Sequence, residues 1–251
     1  MRGWLLAVLL LVAAPVAAAP SRVVSLNLCT DEFLILLAPG RAAALSPLAR
    51  DPALSVVAAQ AAGKPWVRPD AEAVLALRPD LVLAGPYGAQ TTLAALGRHG
   101  VPILRTAMPQ DFDGIRAETR RFAAALDAVA EGERLIAAMD AGLAAAPKGT
   151  GQAVLPLEAR LYTAAAPSLA DAVIRAAGLV NAADGERTDL ESIAAHPPNM
   201  IVTASAPEFP SLATDLLRHR VLRGIPRRTW APAWMACGGP WTVAAVRALA
   251  P

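Results

Sequence analysis

The sequence predicts an α/β protein with two similar lobes, each a parallel sheet flanked by helices, joined by a long rigid connecting helix. Three observations lead to this prediction. Short apolar runs alternate with helical periods over residues 20–110, the alternation returns over residues 149–251, and residues 111–148 between them have a helical pattern. Parallel strands need crossover connections, so strands that alternate with helices are typical of βαβ units.

The first lobe, residues 20–110, is predicted to alternate four strands with three helices. Thr30 or Asp31 is expected to cap the first helix and Pro39–Gly40 to end it, because these residue types begin and end helices. The segments in order are RVVSLN (22–27), CTDEFLILLA (29–38), AALS (43–46), DAEAVLALR (70–78), DLVLAG (80–85), TTLAALGRHG (91–100) and VPILRT (101–106). Such an order predicts one parallel sheet.

The connector, residues 111–148, reads as one long spine helix over residues 111–146, with a weak point at Glu131–Gly132. The sequence PKGTG (147–151) then stops the helical pattern. A helix of this length between two α/β segments is stiff. We therefore expect ligand binding to move the lobes little.

The second lobe, residues 149–251, repeats the logic of the first. Its predicted segments are the strand ARLYTA (159–164), the helices SLADAVIRAAGL (168–179) and DLESIAAH (189–196), the strand NMIVTA (199–204) and the helix SLATDLLRHR (211–220). A final strand is expected after RGIP (223–226), which echoes HGVP (99–102) before the last strand of the first lobe. Two such lobes predict a cleft between them, where ligands bind.

The first residues predict export. Residues 1–19 have a basic start at Arg2, a short apolar run and small residues before Pro20, as in a signal peptide. No cysteine follows the small residues, and no later run reaches about 18 apolar residues. We therefore expect a soluble periplasmic protein without a membrane anchor. The formal net charge of +2, without a basic block, argues against a nucleic-acid partner.

One supersecondary unit occurs twice, as EAVLALRPDLVLAG (72–85) and ESIAAHPPNMIVTA (191–204). Glu72 and Glu191 open the two copies, and each follows an aspartate by two residues. A local explanation is that the aspartate caps the helix and that the helix dipole favours the negative charge of a glutamate in the first turn. That account does not explain why both lobes carry the acid at the same corner. A pair of acids on one outer face suits a two-fold partner with two basic sockets.

The sequence resembles the periplasmic substrate-binding proteins of ABC importers for iron complexes and cobalamin, the class with a helical backbone between its lobes. The resemblance covers nearly the whole mature chain. It rests on RVVSLNLCTDEFLILLAPGRAAALSPLARDP (22–52), WMACGGPWTVAAVRALA (234–250) and the two repeat copies. It implies a monomer without a cofactor, which captures a bulky metal chelate. It also implies that Glu72 and Glu191 dock onto arginines of a dimeric membrane permease.

Candidate ligand-binding residues come from the rule that ligands bind beyond the carboxyl ends of parallel strands. Aromatic residues make up only 4% of the chain, yet four fall at loops or strand ends, where they suit a flat macrocycle unless they fill the lobe cores. The resemblance to the cobalamin-binding member places Trp66 against ligand. Arg50 lies in a loop, where it meets an anionic ligand group or is solvated. The full set is Cys29, Arg50, Trp66, Tyr87, Tyr162, Trp234 and Cys237.

Cys29 and Cys237 leave three interpretations open. An even count in an exported chain favours a disulfide. Free thiols facing the ligand, or small buried side chains, are the other two. The cobalamin-binding members commonly lack this pair.

The three histidines argue against a bare-metal receptor. His99 and His219 fall at helix ends, and His196 precedes a strand, so none is expected in the cleft. A zinc or manganese site needs several histidines and carboxylates together. We therefore predict no metal ligated by the protein itself.

The sequence contains no catalytic motif that we could identify: no G-x-S-x-G elbow, P-loop, G-x-G-x-x-G after a strand or H-E-x-x-H. We expect no catalytic residue and no enzyme activity, with an exported enzyme as the least favoured alternative. A corrinoid is the favoured cargo, and a ferric siderophore or haem is the alternative. The expected partners are that cargo and the permease.

Overall fold

The computed structural model describes residues 19–204 and 213–249. Its strands are β1 (Val23–Ser25), β2 (Ala42–Ala44), β3 (Leu81–Ala84), β4 (Ile103–Arg105), β5 (Ala153–Pro156), β6 (Val180–Asn181), β7 (Met200–Ala204) and β8 (Arg227–Trp230). Its helices are α1 (Leu28–Leu37), α2 (Ala58–Ala61), α3 (Ala71–Ala76), α4 (Gln90–Arg98), α5 (Phe112–Ala125), α6 (Val129–Ala145), α7 (Leu169–Ala176), α8 (Leu190–Ala195), α9 (Pro232–Met235) and α10 (Val243–Leu249). Within these ranges, no helix combines the length and hydrophobicity needed to cross a bilayer.

Two four-stranded parallel sheets confirm the predicted fold class. The first has the order β2-β1-β3-β4 and the second the order β6-β5-β7-β8, so the two lobes share one topology. The central strands are fully buried: β1 and β3 carry Val23, Val24 and Val82 at 0% exposure. This matches the continuous apolar runs expected where helices cover both faces.

The repeated sequence unit fastens each helix–strand pair to its neighbour in the same way. Asp80 accepts a hydrogen bond from the backbone N–H of Arg22 at 3.0 Å, just before β1. Asn199 accepts the equivalent bond from Ala153, the first residue of β5, at 2.8 Å. The acid or amide that follows the repeated proline therefore anchors the neighbouring strand in both lobes.

The connector is two helices rather than the single long helix predicted. Residues 126–128 separate α5 from α6, and Asp127 there has a φ of +46°, in the left-handed region. The two helices pack as a hairpin, with Arg120 Nε 2.7 Å from Glu133 Oε1 and Arg116 Nη2 2.6 Å from Asp140 Oδ1. Helix α6, with 17 residues and a length of about 25 Å, is the spine.

Gly132, expected at the weak point, lies inside α6. A Cβ at Gly132 would lie 2.5 Å from the Cβ of Ala123 on α5. The glycine therefore permits close packing of the hairpin and does not break the helix.

Two of the elements predicted for the second lobe are wrong. Its first strand is β5, whereas residues 159–161, predicted as strand, form a 3-10 turn in which Arg160 has a φ of +59°. The helix predicted over 211–220 is also wrong over the residues that the structure describes. Residues 211–212 lie outside the described ranges, and Asp215–Arg218 and Arg220–Leu222 are 3-10 turns.

The first helix begins one residue earlier than predicted, and its cap differs. Asn27, not Thr30 or Asp31, is the N-cap, and its Oδ1 accepts a hydrogen bond from Cys29 N at 3.0 Å. Asp31 is instead completely buried. The sequence signal was ambiguous because three polar residues precede the apolar run.

Candidate functional site

A cleft of about 560 Å³ lies between the lobes, beyond the carboxyl ends of the parallel strands. It is lined by Asn27, Cys29, Pro86, Tyr87, Thr106, Ala107, Met108, Pro109, Gln110, Pro167, Ser168, Leu169, Met235, Ala236, Cys237 and Gly238. None of these side chains is charged. The site therefore offers apolar contact with a few neutral polar groups, as small-molecule sites do.

The first lobe builds its wall from the loops that follow β1 and β3. Asn27 caps α1 and lies against Gly85, where a Cβ would approach Asn27 Nδ2 to 2.7 Å. A side chain at Gly85 would push the Asn27 side chain away from its capping position, so glycine suits this close approach of the two loops. Tyr87, two residues after Gly85, lines the cleft and is 79% exposed.

The loop after β4, residues 106–110, lines the cleft but was not selected from the sequence. Glu118 on α5 holds this loop, because its Oε1 accepts hydrogen bonds from Thr106 Oγ1 at 2.8 Å and from Ala107 N at 2.7 Å. Arg121 pairs with the same carboxylate at 2.6 Å. Met108 is consequently presented at 65% exposure. The strand-end rule, applied to VPILRT as well, would have identified this loop.

Two further cavities adjoin the cleft on the second lobe. One, of about 300 Å³, shares Met235 and Ala236 with the cleft, and another, of about 580 Å³, shares Pro167 and Ser168 with it. The charged side chains that line these two cavities are all acidic: Glu158, Asp184 and Glu186. The cleft therefore extends into a groove whose charged lining groups, among the described residues, are negative.

Glu158 is the most buried of these acids. Its Oε1 accepts a hydrogen bond from Ala204 N at 2.9 Å. Burial raises the pKa of Glu158, against the hydrogen bonds from Ala204 and Trp230, which favour its ionised form. The nearby Thr163 Oγ1 is buried without a hydrogen-bond partner among the described residues. Both groups can accept hydrogen bonds from a ligand in the 300 Å³ cavity.

Four of the seven candidate ligand residues lie at these cavities. Cys29, Tyr87 and Cys237 line the cleft, and Tyr162 lines both adjoining cavities. The sequence predicted that Tyr162 ends a strand, and this is wrong. It follows a 3-10 turn, with the guanidinium of Arg187 5.0 Å from its ring centre.

The other three candidates lie outside the three cavities. Trp234 packs against the apolar core of the second lobe, and its neighbour Met235 lines the cleft instead. Arg50 donates a hydrogen bond to the carbonyl of Lys64. Trp66 is 48% exposed beside the carboxyl end of β2, the edge strand of the first sheet.

Cys29 and Cys237 form a disulfide, with Cα atoms 5.2 Å apart. The sequence left three interpretations of this pair open, and the structure shows the disulfide. The bond joins the start of α1 to the segment after α9, and both residues line the cleft. Groups of three or more metal-binding side chains (His, Cys, Asp or Glu) do not occur within the described ranges.

Glu72 and Glu191 lie in the first turns of α3 and α8 and are exposed. The preceding caps are equivalent, because Asp70 accepts from Ala73 N at 2.8 Å and Asp189 from Ser192 N at 2.6 Å. Neither glutamate forms an ion pair with the described part of the chain. Each lobe therefore presents one unpaired carboxylate at the same point of its repeat.

A model of the periplasmic binding protein family matches residues 23–226. No curated protein sequence matches the chain. Among solved structures, a possible iron-binding periplasmic solute-binding protein from Staphylococcus epidermidis is 17% identical, with a TM-score of 0.77 over 92% of this chain and 98% of that one.

Two more solved structures show the same fold. The haem-binding protein RhuT from Roseiflexus sp. RS-1 is 24% identical, with a TM-score of 0.70 over 91% of this chain and 96% of that one. The vitamin B12-binding protein BtuF of Vibrio cholerae is 18% identical, with a TM-score of 0.62 over 91% of this chain and 94% of that one.

Proposed function

Because this chain belongs to the periplasmic binding protein family, we propose that it captures a bulky metal chelate between its lobes and delivers it to the permease of an ABC importer. The favoured cargo is a corrinoid. The protein binds the chelate in the periplasm and carries out no chemistry on it. Its own residues supply no metal ligand, since the metal arrives inside its chelator.

The absence of basic side chains from the described lining of the cleft and its adjoining cavities is the observation that favours a corrinoid. A corrinoid carries amide side chains, whose N–H groups can donate to Glu158 and Thr163. Haem carries two carboxylates, which the acidic groove would repel. Burying such carboxylates without a cation costs several kcal/mol.

The extent of the groove and the side chains exposed in it also suit a large chelate. The cleft and its two neighbours share lining residues, so together they offer adjoining space for a ligand with several arms. Tyr87 and Met108 are largely exposed at this site. A flat ring and a flexible thioether are well suited to cover a macrocycle.

Haem is the second candidate, because Tyr87 presents a phenol in the cleft and tyrosine is an established ligand of haem iron. The haem-binding function of RhuT is consistent with this candidate. A ferric hydroxamate without free carboxylates also fits an acidic groove.

Calorimetric titration of the purified protein with cyanocobalamin, haemin and ferrioxamine B tests the proposal. We expect a Kd below about 1 μM for cyanocobalamin, which corresponds to about −8 kcal/mol, and binding of haemin at least about tenfold weaker. Haemin that binds more tightly, with a visible spectrum that changes on Tyr87→Phe, would instead identify a haem carrier. No binding of any of the three would refute the proposed cargo class.

A further inference from the structure

Residues 236–242, here called the strap, leave the second lobe and return to it. The helices on either side, α9 and α10, both pack on the core of the second lobe, through Trp234 and Met235 on α9 and Val246 on α10. Between them the strap crosses to the first lobe. It is therefore a second connection between the lobes, in addition to the α5–α6 hairpin.

Two contacts hold the strap against the first lobe, and a third ties it to the loop that leads into α5. Cys237 is disulfide-bonded to Cys29 at the start of α1. Trp241 packs on the first core, with its ring centre 5.4 Å from that of Phe33. Gly238 lies against Pro109, where a Cβ would approach the proline ring to 3.1 Å. One contact is covalent and the other two are apolar.

The strap has a defined internal conformation. A Cβ at Gly239 would lie 2.3 Å from the ring of Trp241, so the indole covers a position that only glycine can occupy. The buried Thr242 Oγ1 accepts from Gly239 N at 3.3 Å and lies 3.4 Å from the carbonyl oxygen of Cys237, to which it donates. The segment is thus built to turn tightly at this point.

The same strap forms part of the lining of the ligand cleft. Ala236, Cys237 and Gly238 line the 560 Å³ cavity, together with Cys29 from the other lobe. The two cysteines are unequally exposed, because Cys29 is half-buried in the cleft whereas Cys237 is 3% exposed. A reductant that enters the empty cleft therefore meets the Cys29 sulfur first.

We propose that the Cys29–Cys237 disulfide is a redox latch: closed, it fixes the strap and the cleft wall, and opened by an exported dithiol, it frees the strap and weakens ligand binding. One thiolate of the dithiol attacks the Cys29 sulfur and releases Cys237 as a thiolate, which takes up a proton. The second thiol then displaces Cys29, so the dithiol is oxidised to a disulfide as the protein gains two thiols.

The latch and the ligand should act on each other. A bound chelate covers Cys29 and excludes the reductant, so the loaded protein should be reduced more slowly than the empty one. By linkage, if the disulfide form binds the chelate more tightly by some factor, the chelate favours the disulfide by the same factor. This coupling rests on the proposed function, whereas release of the strap does not.

Hydrogen exchange read by mass spectrometry tests the latch without any ligand. The comparison is between the oxidised protein, the phosphine-reduced protein and the double variant Cys29→Ser/Cys237→Ser. We expect amides 236–242 to exchange at least about tenfold faster without the disulfide, and α6 amides to keep their rates. Reoxidation of the reduced protein should restore the slow rates. Equal exchange in all three samples would overturn the proposal.

A control separates latch opening from general loss of stability. Ile193→Val removes a methyl group that α8 buries in the core of the second lobe, with the disulfide intact, and should leave strap exchange unchanged. The Kd of the tightest-binding chelate from the panel above should rise about tenfold in the double variant. If the double variant binds the chelate as tightly as the oxidised protein although its strap exchanges faster, the disulfide does not control ligand binding. If no chelate binds the oxidised protein, the proposed function fails, and hydrogen exchange still decides the latch.

Discussion

Two adjacent acids of α1 show how single residues fasten the first lobe. Asp31 and Glu32 are both completely buried. Asp31 accepts from Ser46 N at 3.0 Å, and Glu32 Oε1 accepts from Val56 N at 2.9 Å, so the pair ties the loop after β2 to the helix. Burial raises the pKa of Asp31 to about 7 and that of Glu32, whose Oε2 has no hydrogen-bond partner among the described residues, to about 8.

These pKa values make stability depend on pH. The carboxyl of Glu32 has an ordinary pKa of 4.5 and a folded-state pKa of about 8. Between these values the folded protein binds more protons than the unfolded chain, so the free energy of unfolding falls as pH rises from about 4 to about 8. Asp31 adds a smaller fall that ends near pH 7.

Replacement Glu32→Gln should reduce this fall, because glutamine keeps an acceptor for Val56 N–H and carries no charge. We expect the variant to match the parent near pH 4 and to exceed it at pH 8 by roughly 1–3 kcal/mol. Urea unfolding across that pH range measures the difference. Parallel pH curves for the two proteins would show that Glu32 does not titrate as inferred.

At the scale of elements, the repeated unit was predictable because capping aspartates, apolar runs and a strand-opening proline lie close together in sequence. The strand ARLYTA was mispredicted for the opposite reason. Its alternation is genuine, yet Arg160 and Leu161 both have positive φ values, +59° and +60°, and β5 lies just upstream. Backbone conformation of non-glycine residues in the left-handed region leaves little trace in composition.

The site was predictable only as far as strand order was. Cys29, Tyr87 and Cys237 follow strands that could be recognised in the sequence, and they line the cleft. Trp234 follows one as well, but in the one-turn helix α9 both Trp234 and Met235 pack on the second core, and only Met235 also lines the cleft. Which side chain of a short helix faces a cavity depends on packing from the other lobe, which no local pattern encodes.

The α5–α6 hairpin offers a test with a matched control. Gly132→Ala should destabilise the protein by about 1–3 kcal/mol despite its better helix propensity, because its Cβ meets Ala123 at 2.5 Å. Gly97→Ala in α4, where nothing lies within 4 Å, should stabilise it by up to about 1 kcal/mol. Chemical denaturation of the parent and of both variants measures the two changes in the free energy of unfolding. Stabilisation by both would show that the hairpin is not closely packed at Gly132.

At the scale of the whole molecule, the lobes are joined at two places: the α5–α6 hairpin, and the strap, which the disulfide fastens to the first lobe. Such joining limits how far one lobe can swing from the other. Glu72 and Glu191, one on each lobe, should consequently keep nearly the same separation with and without cargo. A permease dimer with two fixed basic sockets could then bind the empty and the loaded protein in the same orientation, so cargo would be recognised by other surfaces.

Charge reversal at both glutamates tests docking separately from cargo binding. The double variant Glu72→Lys/Glu191→Lys should lose nearly all chelate uptake in cells that carry the cognate permease, and each single variant should lose part, because the resemblance implies that each carboxylate docks onto its own basic socket. The chelate Kd should not change, since neither residue lines the cleft. Glu131→Lys is the matched control, an exposed first-turn glutamate on α6 whose reversal should leave uptake intact. Full uptake by the double variant would show that the permease recognises a different surface of this protein.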